Sequence, residues 1–468
     1  MYNPEELTIV QLQKDLSDGK VTSRELVLSY LDRIARLDSC PGGLNSVLEL
    51  NPEALVIADR LDRLRSDGNL LSGLHGIPIM LKDNINTADR MRTTAGALAL
   101  KNHFASSDAF IVSKLREAGA IILGKLNMSE YANYMSYHMP GGYSSRGGQV
   151  ICPYDRKLNP MGSSSGSGVA AATSLCAAAV GTETSGSIIY PSAVNGVVGL
   201  KPTAGLISRS GIFPISCTLD TAGPMARTVA DVAALLEVMA GEDVNDVVTI
   251  GSKADSYLEK LDKVPLKGLR IGLSRASTQP KCTDKAIEAL LTLLKNGGAK
   301  LIDIDTIEIA PEVQAIMRNE FSAAVDFYLS REIDPPVKTL DEIIQFNQQH
   351  ADTALKYGQQ RMLDAHNTST CRHIDPEYIE AIMVRANAAE QLDKLFDEKR
   401  LDIILLTDKT NYAAFTGFPG LSLPIGADDD GHPACSCWMA RKFDEARLLA
   451  VAYQVEKVLG ARFAPKLG

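Results

Sequence analysis

Three short segments of this sequence carry side chains of the types that take part in catalysis. Lys82 ends the apolar run Gly-Ile-Pro-Ile-Met-Leu at 76–81, a glycine- and serine-rich loop spans 162–168, and residues 181–191 are rich in threonine, serine and glycine. Singly, each has an ordinary structural explanation, because lysines at strand ends are usually solvated and Gly/Ser runs usually form linkers or turns. Together they supply a base, hydroxyl groups and backbone donors.

This combination is sufficient for acyl transfer to a serine without a histidine. The loop 162–168 runs directly into 169–172, so its N–H groups are predicted to open a helix and to favour negative charge there. The small residues 184–187 can present several N–H groups to one point, as an oxyanion hole requires. Packed behind an apolar strand, Lys82 is predicted to be desolvated, which lowers its pKa from the usual ~10.4 and makes it available as a base.

The elements around these segments follow an α/β pattern. Thr22 and Glu25 form a capping box before a helix with apolar periodicity. A strand, a helix capped by Thr283 or Asp284, and a second strand then follow with short links, which is typical of a parallel unit. Strands are predicted at 76–81, 120–124, 269–274, 300–304, 403–406, 421–424 and 434–439, and helices at 284–296, 312–398 and 444–459. Residues 136–168 are irregular, and a segment of that length is usually functional.

Composition excludes several classes of protein. A chain of 468 residues with 45% hydrophobic residues can bury a large core, and no internal repeat divides it. Its net charge of −9 repels phosphate backbones, so we expect no nucleic-acid partner. The first 20 residues lack a signal architecture. The longest weakly polar run, 168–181, is shorter than the ~20 residues of a membrane span, and we expect a buried helix there and no membrane partner.

Eight cysteines are spread thinly along the chain, at 40, 152, 176, 217, 282, 371, 435 and 437. This spacing favours reduced thiols and a cytoplasmic location over a disulfide framework. Cys435 and Cys437, with His432 nearby, allow a metal site, but their i, i+2 spacing is more typical of one face of a strand. We therefore expect no metal and no organic cofactor.

A different serine hydrolase motif is also present. Gly162-x-Ser164-x-Gly166 matches the nucleophile elbow of α/β-hydrolases, which would make the chain an esterase that uses Ser164. That fold needs a strand directly before the motif, and 155–160 is a poor strand. It also needs a histidine partner, for which the candidates are His350, His366, His373 and His432.

The motifs between Gly162 and Arg227 resemble those of the amidase signature family. They include Gly199-Leu-Lys-Pro-Thr203 and Asp220-Thr-Ala-Gly-Pro-Met-Ala-Arg227, and the similarity extends from 7–37 to the segment 417–420 and the C-terminal helix. The resemblance implies one large α/β domain over 1–468, with a central mixed twisted β-sheet covered on both faces by helices. Within it we expect a helical N-terminal segment at 1–65, a signature core at 74–240 and a helical substrate cover at about 312–398.

The resemblance also implies a catalytic triad and an oxyanion hole. Ser187 matches the family's nucleophile, and Ser163, 24 residues earlier, matches the bridging serine that follows a cis peptide bond. Lys82 matches the catalytic lysine. The oxyanion hole would be formed by the backbone N–H groups of Ser187 and of the three residues before it: Thr184, Ser185 and Gly186. Ser185 replaces the first glycine of the family's Gly-Gly-Ser motif.

Tyr190 bears on the substrate. Family members that act on small acids, and the A subunit of the glutamine-dependent tRNA amidotransferase, commonly carry arginine three residues after the nucleophile, where this chain has Tyr190. With 144–149 and 182–184, this favours the peptide amidase branch, acting on a small-molecule or peptide amide, for which Tyr190 is a candidate binding residue. The amidotransferase component is the alternative. The resemblance is compatible with a homodimer.

Overall fold

In a computed structural model of the chain, the structure describes residues 2–275, 284–307, 310–370, 373–407 and 410–467. The predicted cap residue Thr283 and two of the cysteines, Cys282 and Cys371, lie outside this part of the chain. No helix within it is both long enough and apolar enough to cross a bilayer.

One mixed sheet organises the molecule. Its eleven strands are β1 (Val47–Leu50), β2 (Pro78–Lys82), β3 (Ile121–Leu126), β6 (Ala178–Glu183), β7 (Val198–Lys201), β8 (Thr221–Ala226), β9 (Arg270–Ser274), β10 (Lys300–Ile304), β11 (Ile403–Leu406), β12 (Gly420–Ala427) and β13 (Pro433–Met439), and a separate hairpin joins β4 (Tyr143–Ser144) to β5 (Gly148–Gln149). In the sheet they lie in the order β1-β3-β2-β6-β8-β7-β12-β13-β11-β9-β10. Parallel pairing joins β2 to β3 and β6, and β9 to β10 and β11, whereas the other pairs are antiparallel.

Sixteen α-helices of the described chain surround the sheet. They are α1 (Ile9–Ser17), α2 (Ser23–Leu37), α3 (Ala54–Ser66), α4 (Phe110–Glu117), α5 (Ser165–Ala172), α6 (Ile189–Val194), α7 (Val229–Met239), α8 (Tyr257–Lys260), α9 (Asp284–Asn296), α10 (Val313–Ser330), α11 (Leu340–Gln349), α12 (Ala351–Ala354), α13 (Gln360–Thr368), α14 (Pro376–Glu398), α15 (Tyr412–Thr416) and α16 (Glu445–Leu459). Short 3₁₀ helices lie at Leu98–Leu100, Glu130–Asn133 and Val247–Thr249. The mixed α/β architecture with helices around a central sheet is confirmed.

Most of the predicted elements are present. The capping box at Thr22 is complete, because its side chain accepts the Glu25 N–H while the Glu25 side chain accepts the Thr22 N–H. The strand predicted at 300–304 is β10, which pairs in parallel with β9. The helices predicted at 312–398 are α10 to α14, and they build a hydrophobic cluster distinct from the main core. That cluster includes Met128 and Phe213, which lie beyond the carboxyl end of the sheet's first parallel strands.

One expectation about the glycine- and serine-rich region was wrong. The buried helix expected over 168–181 ends at Ala172, and the chain then enters β6 at Ala178. The loop does open a helix, as expected, because α5 begins at Ser165 within the Gly/Ser run. Close packing explains the glycines: a Cβ on Gly166 would lie 2.3 Å from the Asn127 carbonyl oxygen.

Candidate active site

Lys82 lies at the carboxyl end of β2, beside the end of the neighbouring parallel strand β6. Its side chain is fully buried, contrary to the usual behaviour of a lysine at a strand end. The Nζ atom lies 2.7 Å from Ser163 Oγ, 2.8 Å from Thr182 Oγ1 and 3.2 Å from the Thr182 carbonyl oxygen. All the hydrogen-bond partners of this amine within the described residues are therefore uncharged.

These surroundings favour the neutral amine. Burial lowers the pKa of Lys82 to about 7, and the negative charges of Asp220 and Glu183 offset only part of that effect. A neutral amine has two N–H donors and one lone pair. The two oxygen atoms of Thr182 can accept both donors, which leaves the lone pair for the hydroxyl proton of Ser163. The predicted desolvation of Lys82 thus agrees with the structure.

Ser163 follows a cis peptide bond from Gly162, as the family resemblance implies. A side chain at Gly162 would collide with Ser129, since its Cβ would lie 2.2 Å from Ser129 Oγ. The two following serines have other partners: Ser164 donates to the Thr182 carbonyl at 3.0 Å, and Ser165 donates to the Met161 carbonyl. Among these serines only Ser163 contacts the lysine within the described chain.

The same contacts argue against the esterase motif. The Ser164 hydroxyl is fully buried and also accepts the Thr182 N–H, at 3.2 Å. The strand that precedes it in the described chain is the two-residue β5, which ends at Gln149 rather than directly before the motif. Since a nucleophile elbow holds its serine exposed at the top of a strand, Ser164 does not have the geometry of that motif.

Ser187 lies beside this pair. Its carbonyl accepts the N–H of Ser164 at 3.2 Å, so the backbone segments that carry Ser163 and Ser187 are in contact. Ser187 is partly exposed, and within the described residues its hydroxyl forms no hydrogen bond. The structure therefore joins Lys82 to Ser163 directly and places Ser187 next to them. A hydrogen bond from Ser187 to Ser163 stays a prediction.

The backbone before Ser187 forms an open turn. Within the described chain, the N–H groups of Thr184, Ser185 and Ser187 donate to no other residue, so they are available to a ligand. Gly186 has φ +92°, and a Cβ there would lie 2.6 Å from the ring of Tyr190. Its own N–H is drawn towards the carboxylate of the preceding Glu183, which makes it the least available donor of the predicted four.

Glu183 is one of two buried acids near the turn that the sequence analysis did not assign. Its carboxylate accepts the N–H of Ile188 at 2.7 Å and the N–H of Ile189 at 3.0 Å. These are the first two backbone N–H groups after Ser187, and they lie at the start of α6, where a helix favours negative charge. Burial raises the pKa of Glu183, and these N–H groups oppose the rise.

Asp220 is the second of these acids. Its carboxylate accepts the Thr184 hydroxyl at 2.5 Å and the N–H groups of Ile215 and Ser216 at 2.7 and 2.9 Å. Burial raises its pKa to about 6. Glu183 lies within the segment 181–191, and Asp220 begins the motif Asp220–Arg227. An acidic residue inside each of these motifs was the signal that could have identified them.

A cavity of about 640 Å³ begins beside this turn. Asn84, Thr182, Thr184 and Asp220 are among its lining residues, and Asn84 Nδ2 donates to Thr182 Oγ1 at 3.1 Å. The aromatic side chains of its wall are Phe110, Phe213, Phe327 and Tyr328. The volume lies within the range that holds a small ligand.

Tyr190 packs on the turn. Its ring covers the Cα of Gly186, and its N–H donates to the Gly186 carbonyl at 2.8 Å. The phenol is partly buried, so a neutral aromatic side chain occupies the position where the resemblance suggested that other members carry a cation.

The candidate metal ligands lie elsewhere. Cys435 and Cys437 are on β13, as predicted. Cys435 Sγ donates to the Ala193 carbonyl at 3.3 Å. His432 lies instead near Asp428 and Asp430 in a turn at the surface. Such acidic surface turns are common without an ion.

Comparison with known proteins gives concordant results. The family profile described as Amidase matches residues 25–407. A probable amidase of Arabidopsis thaliana is 34% identical over 486 residues, which cover 99% of this chain and 92% of that protein. The A subunit of glutamyl-tRNA(Gln) amidotransferase from Chromohalobacter salexigens is 34% identical over 484 residues, 96% of each protein. The native peptide amidase of Stenotrophomonas maltophilia superposes with a TM-score of 0.92 at 39% identity, over 99% of both chains.

Proposed function

The chain belongs to the amidase family and is a hydrolase of amide bonds, and we propose that it forms its acyl-enzyme on Ser187 with Ser163 and Lys82 as the proton relay. The observation that carries this proposal is the 2.7 Å contact between Ser163 Oγ and a fully buried lysine amine. A buried amine with a pKa of about 7 has an available lone pair near neutral pH.

The proton relay accounts for both the attack of Ser187 and the departure of the amine during acylation. Ser187 Oγ attacks the amide carbon while its proton passes to Ser163, and the proton of Ser163 passes to Lys82. The carbonyl π bond breaks as the new C–O bond forms, and its electron pair becomes the oxyanion. Ser163 then gives its proton to the amide nitrogen and takes back the proton held by Lys82, which restores the neutral amine. The oxyanion re-forms the carbonyl as the C–N bond breaks, and ammonia or a neutral amine leaves the Ser187 ester.

The open turn is suited to the oxyanion. The N–H groups of Thr184, Ser185 and Ser187 have no other acceptor within the described chain, and Gly186 adds a weaker donor. Removal of one such donor costs ~10²–10³ in rate in other enzymes. Water then repeats the sequence on the ester, which regenerates Ser187 and releases the carboxylic acid. No step of this scheme needs a metal or an organic cofactor.

The proposed substrate is a carboxy-terminal peptide amide or a related small amide. The 39% identity and the match over 99% of both chains with a peptide amidase support this class. Tyr190 provides no cation for a substrate carboxylate at the turn. The cavity beside Thr184 offers aromatic surface to an acyl group, together with charged residues that include Arg209 and Arg331. In this scheme the whole chain, 1–468, acts as one domain in which 312–398 covers the substrate. The thin spread of the cysteines along the chain supports a cytoplasmic location.

The A subunit of a tRNA amidotransferase is the second candidate, since one such protein is 34% identical over 96% of this chain. That protein would release ammonia from glutamine for a partner. An ammonia-release screen over peptide amides, fatty amides, anilides and glutamine separates the two. We expect turnover of peptide amides, and turnover of glutamine alone would favour the amidotransferase.

Two neighbouring serines provide a test variant and its matched control. Ser163→Ala is expected to lower kcat by ~10³-fold or more, because the relay from Ser187 to Lys82 is broken. Ser164→Ala removes a hydroxyl that, among the described residues, bonds only to the backbone of Thr182, and it is expected to keep kcat within ~10-fold. The opposite ranking of the two variants would refute the assignment of Ser163.

A further inference from the structure

Glu320 is a buried carboxylate in α10 that bonds to two other parts of the chain. It accepts hydrogen bonds from the Ser216 hydroxyl, from the N–H (3.0 Å) and hydroxyl (2.5 Å) of Thr218, and from the Tyr378 hydroxyl at 2.8 Å. Only 1% of Glu320 is exposed. The carboxylate thus lies where α10, α14 and the loop 216–218 meet.

This loop leads to Asp220. The Asp220 N–H donates to the Ser216 carbonyl at 3.1 Å, and the Asp220 carboxylate accepts the Ser216 N–H at 2.9 Å. The other carboxylate oxygen accepts the Thr184 hydroxyl at 2.5 Å. A continuous series of hydrogen bonds therefore runs from Glu320, through Ser216 and Asp220, to the turn that precedes Ser187.

We propose that Glu320 is a positioning residue for the amide hydrolysis. It fixes the loop 216–218, so that Asp220 holds Thr184 with its backbone N–H directed at the oxyanion. The inference rests on the proposed function, because it assigns Glu320 a part in the same reaction. Glu320 does not touch the substrate or the reacting atoms, and its effect passes through Thr184.

Packing alone does not account for a charged side chain at this point. The surrounding cluster includes Phe321, Ile316 and Leu219, and an apolar residue would dock α10 on these side chains without the cost of burying a carboxylate. A carboxylate differs in that it accepts several directed hydrogen bonds at once. These bonds fix the position of Thr218 and Ser216, which apolar contacts would leave less defined.

The arrangement also connects the substrate cover to the catalytic turn. Ala324, Phe327 and Tyr328, further along α10, line the cavity, and Ser216 and Asp220 line it too. The helix that forms the wall of the cavity therefore carries the group that anchors the oxyanion turn.

Steady-state kinetics on Glu320→Ala and Glu320→Gln test the proposal with an amide that the wild-type enzyme hydrolyses. We expect Glu320→Ala to lower kcat by ~10–100-fold while KM changes less than ~3-fold, since a misplaced oxyanion donor affects the transition state. Glu320→Gln keeps one acceptor oxygen and is expected to lose less. The matched control is Asp231→Asn, another fully buried carboxylate, which accepts the Ile9 N–H at 2.7 Å away from the site and is expected to keep kcat within ~2-fold.

A double-mutant cycle with Thr184→Val shows whether the effect passes through Thr184. This variant keeps the backbone donor and loses only the hydroxyl that bonds to Asp220. We expect Glu320→Ala in the Thr184→Val background to lower kcat by less than ~3-fold further. Independent, multiplicative losses would overturn the proposal, as would Glu320 variants with wild-type kcat.

Two further results keep the outcomes distinct. Should Glu320→Ala fail to fold, Glu320→Gln and Thr218→Val carry the same comparison, because each removes part of the network. A wild-type enzyme without amidase activity would refute the proposed function itself. An active wild-type enzyme whose kcat is insensitive to these variants would refute only the role of Glu320.

Discussion

The pH dependence of turnover follows from the burial of Lys82. Only the neutral amine can accept the proton of Ser163, and burial lowers the lysine pKa to about 7. With an ordinary pKa of ~10.4, about one lysine in ~2,500 would be neutral at pH 7, whereas with a pKa of about 7 roughly half are neutral. Burial thus increases the available base at pH 7 by about 10³-fold.

The resulting profile has a defined sign and slope. Protonation of Lys82 removes the base, so kcat/KM should rise with pH through about 7 and level off in the mildly alkaline range, with ~10-fold less activity at pH 6 than at pH 8. Asp220, whose pKa is about 6, takes up a second proton below that pH. Protonated Asp220 no longer raises the pKa of Lys82, so the acid limb should become shallower than slope 1 below about pH 6.

Asp220→Asn is the informative variant for this profile. The negative charge of Asp220 raises the pKa of Lys82, so its removal should move the midpoint of the profile to lower pH and return the acid limb to slope 1. The assay is ammonia release from an amide without titratable groups, measured from pH 5.5 to 9. A maximum below pH 6, or a midpoint that moves to higher pH in Asp220→Asn, would refute the assignment of a neutral lysine base.

Three further substitutions test separate parts of the account. Thr182→Val removes an oxygen that contacts both Lys82 and Asn84, and steady-state kinetics should show kcat lowered by ~10–100-fold with a small change in KM. Tyr190→Arg places a cation beside the turn, and competition between an anionic and a neutral amide should shift ~5–10-fold towards the anionic one. Thr22→Ala removes the capping box of α2, so chemical denaturation should show the free energy of unfolding lowered by about 1 kcal/mol while kcat is unchanged.

The local elements were predictable because their signals are local. The apolar run that ends abruptly at Lys82 predicted both β2 and the burial of the lysine. The four consecutive small residues at 184–187 predicted the turn before α6. The serine of the 162–168 loop that contacts the lysine also agrees with the family spacing. In each case a short stretch of sequence contains the residues that determine the structure.

The order of the strands and the supporting acids were not predictable in the same way. Strand β12 pairs with β7, more than 200 residues earlier, and no periodicity in either strand indicates that partner. Glu320 and Ser216 are likewise 104 residues apart, and their contact depends on how α10 packs. A buried acid is recognised by its partners, and those partners are known only once the chain is folded.

The position of a covalent adduct shows whether Ser187 is the serine that becomes acylated. The enzyme is treated with a serine-reactive phosphonate, digested, and mapped by tandem mass spectrometry. We expect one phosphonate on Ser187, with labelling that slows by ~10³-fold in Lys82→Ala. A label on Ser163, Ser164 or another residue, in enzyme that loses activity in step with labelling, would contradict it.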